Sequence, residues 1–373
     1  MYIAHHQVPA GDTAQPKVWL ENVSKQYGSV TALQPSDLKV RSGEFLTILG
    51  PSGSGKSTVL NLIAGMTNPT AGRVWIDGRD CTNVPPSKRG LGMVFQNYAL
   101  MPHMSVFENV AFPLRVRRVT EAEIKRRVGE ALELVRLPSV AGRKPAELSG
   151  GQQQRISIAR CLVYNPAIIL MDEPLGALDK KLREEMQLEL KRLHVELKVT
   201  ALYVTHDQEE ALTMSDRIVL FNGGRIEQAG TPHELYFRPR TLFSAKFLGD
   251  SNVLSGKLQG RAQDGLVETP VGLLRSSNGN EHVGDGASVH LMVRPENVLL
   301  LPPDNKHEYA NGLEAMVVDT ISFGGVIKTF ARLSDGSTMT VQELTRARRQ
   351  AFDRGARVRL AWQAEDMLLL PAA

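Results

Sequence analysis

The segment "EFLTILGPSGSGKSTVLNLIA" (residues 44–64) holds the reading on which the fold turns. Its first part, "EFLTIL" (44–49), is short and apolar on both faces, as a strand covered by helices on either side should be. Its last part, "STVLNLIA", has a helical pattern. Between them "GPSGSGKST" (50–58) matches G-x-x-x-x-G-K-[ST]. Glycines there let backbone N–H groups curl around phosphate oxygens, and the following helix N-terminus adds positive potential. Gly50, Pro51, Ser52, Gly53, Ser54, Gly55, Lys56, Ser57 and Thr58 are therefore candidate nucleotide-binding residues. Lys56 would reach the β- and γ-phosphates, and the Ser57 hydroxyl would ligate Mg²⁺. A chance glycine-rich turn is the competing reading, and the strand before it and the helix after it weigh against that.

Further along, "AIILM" (167–171), "ALYVT" (201–205) and "RIVLF" (217–221) repeat the doubly covered strand pattern. Amphipathic helices alternate with them, which predicts an α/β fold around a parallel sheet. "TEAEIKRRVGEALELV" (120–135) opens on a capping-box pattern, Thr120 and Glu123, and puts Ile124, Val128, Ala131, Leu132 and Val135 on one face. "KKLREEMQLELKRLHVELK" (180–198) does the same with Leu182, Met186, Leu190, Leu193 and Leu197, and His194 reads as an ordinary surface residue.

Strand ends carry the next candidates, because ligands of parallel sheets bind at the carboxyl ends of the strands. "AIILMDEP" ends in Asp172, a candidate Mg²⁺ ligand, and Glu173, a candidate base for an attacking water. An acidic pair at a strand end is often a plain turn, but its pairing with the Lys56 loop favours chemistry. His206 follows "ALYVT"; alone it would read as a capping histidine, and its strand-end position raises the functional reading. Gln96, after the apolar run "GMVF", is a similar case.

"LSGGQQQR" (148–155) offers a second anion site about a hundred residues after the first. Ser149 and Gln152 form an ordinary capping box for the helix "QQQRISIARCL". Gly150 and Gly151 weaken a helix start, and a ligand approaching the backbone would account for them.

Taken in order, Tyr27, "GPSGSGKST", Gln96, "LSGGQQQR", "LMDE", "GALD" and His206 resemble the nucleotide-binding subunit of ABC transporters over about residues 17–250. The resemblance implies a P-loop ATPase domain with a parallel-sheet core and a helical subdomain, using ATP and Mg²⁺. It implies a homodimer in which Ser149, Gly150, Gly151 and Gln152 clamp the γ-phosphate of ATP held by the opposite subunit. Tyr27 would stack on adenine, the competing reading being a core tyrosine. Gln96 would sense Mg²⁺ and the attacking water. Asp179 would communicate across the dimer, and His206 would hold the γ-phosphate. Gly176 stands where many relatives have Ser, which puts one cross-interface contact in doubt.

Within the family, "QNYALMPHMSVFENVAFPL" (96–114) resembles the stretch of importer ATPases that receives a coupling helix from an integral permease subunit. "VTHDQEEALTMSDRIVLFNGGRIEQAGTPHELYFRP" (204–239) resembles importers of polyamines, sugars and ferric iron, leaning toward the spermidine/putrescine branch. An extracytoplasmic solute-binding protein would act through the permease. The expected place is the cytoplasmic face of the inner membrane, held peripherally.

Residues 251–373 change texture. Candidate strands "SVHLMV", "AMVVD", "VIKTFARL", "STMTV" and "RVRLAW" are separated by "NGN", "GDG", "FGG" and "SDGS". One helix-like piece lies near "ELTRARRQAF" (343–352). A small β-barrel or sandwich is expected, and the resemblance makes it an oligomer-binding-type (TOBE-like) domain of regulatory use. The expected organisation is a loose tail at 1–16, an ATP-binding domain at 17–249 and this β-domain at 250–373.

Composition excludes several other classes. The 373 residues carry 44 basic and 40 acidic side chains, a net charge of +4, and a pI near 9.0 without a basic block is weak evidence for nucleic acid. The densest basic run, "TRARRQ" (345–350), reads as a solvated helix face. Two separated cysteines, Cys81 and Cys161, fit neither a metal site nor a disulfide framework. "MYIAHHQVPAGDTAQP" lacks the pattern of a signal peptide, and no apolar run approaches the roughly 20 residues that span a bilayer. Soluble ABC ATPases of DNA repair split their halves with a long coiled coil, yet only 51 residues (148 minus 96, minus 1) separate Gln96 from Leu148. Ribosome-acting relatives carry two cassettes, and this chain has one.

Overall fold

The computed structural model describes residues 15–279, 283–305, 307–346 and 352–372. They divide into two compact units, Met1–Pro232 and His233–Ala373. The first contains strands β1 (Val18–Tyr27), β2 (Val30–Val40), β3 (Phe45–Leu49), β4 (Ala71–Ile76), β5 (Arg79–Asp80), β6 (Gly92–Val94), β7 (Ile168–Asp172), β8 (Thr200–Thr205), β9 (Arg217–Asn222) and β10 (Arg225–Gly230). Its helices are α1 (Lys56–Ala64), α2 (Val106–Val116), α3 (Glu121–Leu134), α4 (Gly150–Leu162), α5 (Lys180–Leu197) and α6 (Gln208–Met214).

A six-stranded sheet runs in the order β10-β9-β3-β8-β7-β6, parallel throughout except for β10. Strands β3 and β8 are buried along their whole length, as doubly covered strands must be. Neighbouring residues face opposite layers because side chains alternate along a strand. Leu46, Leu170 and Leu202 join Leu60, Ile63 and Phe221 in one core. Phe45, Met171 and Tyr203 join Ile156, Met186 and Leu190 in the other. With the strands parallel, the segments after Leu49, Val94, Asp172 and Thr205 all emerge at one edge of the sheet.

A second sheet, β2-β1-β4-β5, is antiparallel and was not anticipated from the sequence. Its alternation is hidden by Pro35 within β2, by Asn22 at φ 47° and by register shifts along β1. Two local expectations also change. Thr120 precedes α3 but makes no side-chain cap, and the Glu123 carboxylate that would complete the capping box is engaged by Arg126 and Arg127 at 2.6–2.8 Å. His194 is not an ordinary surface residue: it is half-buried with its ring edge-on to Phe45, centroids 5.2 Å apart.

The second compact unit starts at His233, ahead of the boundary near 250 expected from sequence texture. The helices α7 (Pro232–Phe237) and α8 (Leu242–Phe247) are tied into it by buried Arg294. That guanidinium donates to the carbonyls of Tyr236, Ala245 and Asp250 at 2.9–3.1 Å, and Ala245 packs with Met292 and Leu370. Beyond the helices lie two sheets. One has six strands (Asn252–Gln259, Gly265–Thr269, Gly272–Ser276, Asn278–Gly279, Ser288–Val293 and Met367–Pro371). The other has five (Leu299–Leu301, Asn311–Ser322, Val326–Arg332, Thr338–Leu344 and Arg357–Trp362). Leu254, Leu291, Val341, Leu360 and Trp362 share one core between the sheets, which makes the unit a β-sandwich. The helix expected near 343–352 is a strand at its start, since Glu343 and Leu344 pair with Ile327 and Val326. Residues 347–351 of that piece, and most of "TRARRQ", lie outside the described residues, as do residues 1–14 of the expected tail. Among the described residues no helix is long and apolar enough to cross a membrane.

Candidate active site

Between β3 and α1 the chain turns so tightly that no side chain fits at Gly50 or Gly55. A Cβ at Gly50 would lie 2.4 Å from the Phe221 carbonyl oxygen; one at Gly55, at φ 99°, would lie 2.5 Å from that of Ala32. Helix α1 starts at Lys56 with no side-chain cap and no acidic residue in its first turn, so its first amides are left for an external acceptor. The Ser54 hydroxyl is buried without a hydrogen-bond partner. Lys56 is buried, and its ammonium donates to the carbonyls of Gly50 and Pro51 at 2.8 and 2.9 Å. Burial lowers its pKa, opposed by the negative charges of Glu173 and Asp172. The loop is thus a cationic cradle with unfilled donors, shaped for phosphate.

The acids come from the end of β7, which is separated from β3 in the sheet by β8. Ser57 Oγ donates to Asp172 Oδ1 at 3.1 Å. Desolvation raises the Asp172 pKa and nearby Glu173 adds to it, while the Ser57 bond and Lys56 oppose. Among the described residues no cluster of three or more His, Cys, Asp or Glu side chains is arranged to hold a metal. A cation at Ser57 and Asp172 would then complete its shell with water and phosphate oxygens, which is how Mg²⁺ is commonly held.

Glu173 sits at φ 43°, a conformation that is strained for a residue with a side chain. Its amide donates to the Val204 carbonyl at 3.0 Å, which locks the end of β7 to the end of β8. Its carboxylate Oε1 is 3.1 Å from His206 Nδ1, and the histidine side chain remains 55% exposed. Gln96 is exposed after β6; a Cβ on Gly176 would lie 4.0 Å from its Nε2 and 3.5 Å from the Glu173 carbonyl oxygen. Lys56, Ser57, Asp172, Glu173 and His206 are therefore brought together, with Gln96 beside the Gly176 loop.

Other expected residues stand apart. Tyr27 is half-exposed at the end of β1, with Lys25 Nζ 4.9 Å from its ring centroid, so it is not a core tyrosine. Ser149 caps α4 by accepting from the Gln152 amide at 3.4 Å, and Gln152 Oε1 accepts from the Ser149 amide at 3.1 Å. Gly150 is exposed. Gly151 is buried, and a Cβ there would come within 2.8 Å of Leu182 Cδ1, so helix packing already accounts for this glycine. Asp179 caps α5, its Oδ1 accepting from the Leu182 amide at 3.0 Å.

Two arginines, buried Arg89 and half-buried Arg160, were missed from sequence. Arg89 donates to the Leu62 and Ile63 carbonyls at 2.8 Å and so satisfies the far end of α1. Arg160 of α4 donates to the Tyr98 and Ala99 carbonyls at 2.7 and 2.6 Å, holding the left-handed turn that follows Gln96. Lone arginines in "SKRG" and "IARC" carry no local signal of these long-range bonds.

Comparison with known proteins gives this geometry a family. Residues 33–176 match the ABC transporter model and residues 291–370 the TOBE domain model. The spermidine/putrescine import ATP-binding protein PotA of Thermobifida fusca is 46% identical over 370 residues, covering 96% of this chain and 94% of that protein. The protein of the same name from Acidothermus cellulolyticus is 52% identical over 302 residues, 78% of this chain and 77% of the other. Among solved structures, the dimeric MJ0796 bacterial ABC transporter cassette matches with TM-score 0.53 and 39% identity over 58% of this chain and 98% of its own. CbiO1 of Clostridium perfringens, part of the CbiONQ ABC transporter complex, matches with TM-score 0.57 and 28% identity over 63% of this chain and 93% of its own. A cradle, acid pair and histidine at one sheet edge, with relatives this similar along nearly the whole chain, make it a transport ATPase that belongs to the spermidine/putrescine import ATP-binding family of ABC transporters.

Proposed function

We propose that this chain is the ATP-hydrolysing subunit of a polyamine importer, working as a homodimer on the cytoplasmic face of the membrane beneath integral permease subunits. The observation that carries the chemistry is the pairing of Ser57 with Asp172 and of Glu173 with His206 at the ends of adjacent strands.

The amides of residues 53–58 and the Lys56 ammonium bind the β- and γ-phosphates of ATP, with Tyr27 stacked on adenine. Ser57, Asp172 and Gln96 would hold Mg²⁺, which would supply neutralisation of the phosphate charge. Glu173 takes a proton from water as the water oxygen bonds to the γ-phosphorus and the bond to the β–γ bridging oxygen breaks, giving ADP and phosphate. His206 holds the γ-phosphate, and the 3.1 Å contact with Glu173 fixes both side chains at one place. Ser149, Gly150, Gly151 and Gln152 of the second copy close the site, and Asp179 lies at that junction.

A groove of about 390 Å³ lined by Phe95, Ala99, Met101, Phe112, Val116 and Arg117 is apolar and open, with Phe112 43% and Val116 66% exposed. It is the seat for a permease coupling helix, directly downstream of Gln96. The TOBE-type unit is a regulatory module.

Glu173→Gln tests the reading. ATP binding should persist while steady-state hydrolysis falls ~10²–10⁴-fold, the loss expected when a general base is removed. Turnover near wild type would remove Glu173 from that role. With partner permease and binding protein, the wild type should drive spermidine uptake and the variant should not; uptake of sugar or ferric iron instead would move the solute assignment.

A further inference from the structure

His206 is more than half exposed and pairs with Glu173 at 3.1 Å, so this pairing and the turn that carries it, rather than burial, set its place. That turn is anchored on both sides by one network, buried at Tyr203, Thr205 and Glu210 and half-buried at Asp207 and Arg183. Before the histidine, Thr205 Oγ1 donates to Glu210 Oε2 at 2.7 Å and accepts from the Asp207 amide at 3.0 Å. Tyr203 Oη donates to the same Glu210 oxygen at 2.7 Å. After the histidine, Asp207 Oδ1 accepts from the amides of Glu209 and Glu210 at 2.8 and 3.1 Å, capping α6. Asp207 Oδ2 accepts from Arg183 Nη1 at 3.1 Å. The other arm of the same guanidinium, Nη2, donates to the Leu178 carbonyl at 3.0 Å, one residue before Asp179. Arg183 is itself in the first turn of the helix that Asp179 caps.

We propose that Arg183 is a positioning residue that holds the His206 turn and the Asp179 loop in one fixed relation. A planar fork with two bonded arms transmits a displacement of the Leu178–Asp179 backbone to Asp207, and so to the adjacent His206. Lysine, with a single rotatable ammonium, cannot span both acceptors in this way. Glu210 is the counterweight: buried and 3.9 Å from Arg183 Nε, it keeps the guanidinium oriented without bonding to it. The inference rests on the reading that His206 acts on the γ-phosphate and Asp179 lies at the dimer junction. It adds that the two are mechanically one unit, although no phosphate contact is asked of Arg183.

The test is a double-mutant cycle with Arg183→Gln and His206→Gln, read by single-turnover hydrolysis of labelled ATP, with ATP affinity and Tm measured on every variant. Arg183→Gln alone should leave ATP affinity within about 2-fold and lower the hydrolysis rate ~10-fold, equivalent to about 1.4 kcal/mol. Arg183→Lys, the conservative variant, should keep the fold and recover only part of that loss. In the His206→Gln background the same change should cost less than about 2-fold, because the residue it positions is gone. An equal loss in both backgrounds, or a fall in ATP affinity in step with rate, would overturn the proposal. His206→Gln alone tests the site reading separately: if it hydrolyses at the wild-type rate, both fall, whereas an additive cycle sinks only the coupling.

Discussion

Asp172 shows what a single residue gives up for chemistry. Its folded pKa lies above the ordinary carboxylate value because burial beside Glu173 disfavours its charge. A raised folded pKa is a stability deficit on the alkaline side of that pKa; the deficit shrinks as pH falls through the folded pKa and vanishes below the unfolded one. Asp172→Asn should therefore raise the Tm of nucleotide- and metal-free protein at pH 7 by about 1–2 °C, since screening on the open side of the site keeps the effect small. The gain should fade toward pH 4, while Mg²⁺-dependent hydrolysis is lost at every pH. A lower Tm at pH 7 would show that the Lys56 charge and the Ser57 bond outweigh desolvation. Asp172 was legible in sequence because an acid after four apolar residues marks a strand end. The deficit was not, because it depends on burial in the folded site and on how far Lys56 and Ser57, more than a hundred residues away, oppose it.

Among elements, α4 separates two glycines that the sequence treats alike. At Gly150 an added methyl meets Leu178 Cδ2 at 3.4 Å, an ordinary contact; at Gly151 it meets Leu182 at 2.8–3.2 Å. Replacing glycine by alanine in a helix gains up to about 1 kcal/mol, whereas overpacking a well-filled contact costs about 1–3 kcal/mol. Gly150→Ala should thus raise the Tm and lower ATPase activity, because the exposed methyl stands where the proposed phosphate approaches. Gly151→Ala should at best leave the Tm unchanged. If Gly150→Ala is as active as wild type, the helix tip receives no nucleotide; thermal melts and hydrolysis assays on the two variants decide it. Helices α1, α3, α4 and α5 and strands β3, β7, β8 and β9 were readable because the helical period or the apolar run is unbroken, as in α5 and β8. The antiparallel sheet and the start of the second unit were not: register shifts along β1 erase its alternation, and the Arg294 bonds are invisible to local pattern.

At the scale of the whole molecule, the two helix tips proposed to bind anion pose a problem of closure. The Ser149 and Gln152 side chains each accept from the other's amide, and among the described residues neither hydrogen-bonds to the Lys56 loop or to Glu173. A chain that carries both halves of a site without joining them is complete only when a second copy supplies the missing half, which a two-fold, head-to-tail pair does twice over. Lys56→Ala removes the cradle and spares the tip, whereas Ser149→Arg blocks the tip and spares the cradle. Each variant alone should hydrolyse almost no ATP. Mixed in equal amounts and allowed to exchange, half of the dimers pair one with the other, and each such dimer holds one complete site and one doubly damaged site. Activity should then recover toward about a quarter of the wild-type level if sites act independently, and less if both must fire together. Recovery should require exchange, so crosslinking each homodimer before mixing should abolish it. No recovery after demonstrated exchange, using a tagged wild-type chain as control, would mean either that one complete site cannot turn over or that sites are not shared; ATP crosslinking to the Ser149→Arg cradle in the heterodimer, dependent on the partner's intact tip, separates these.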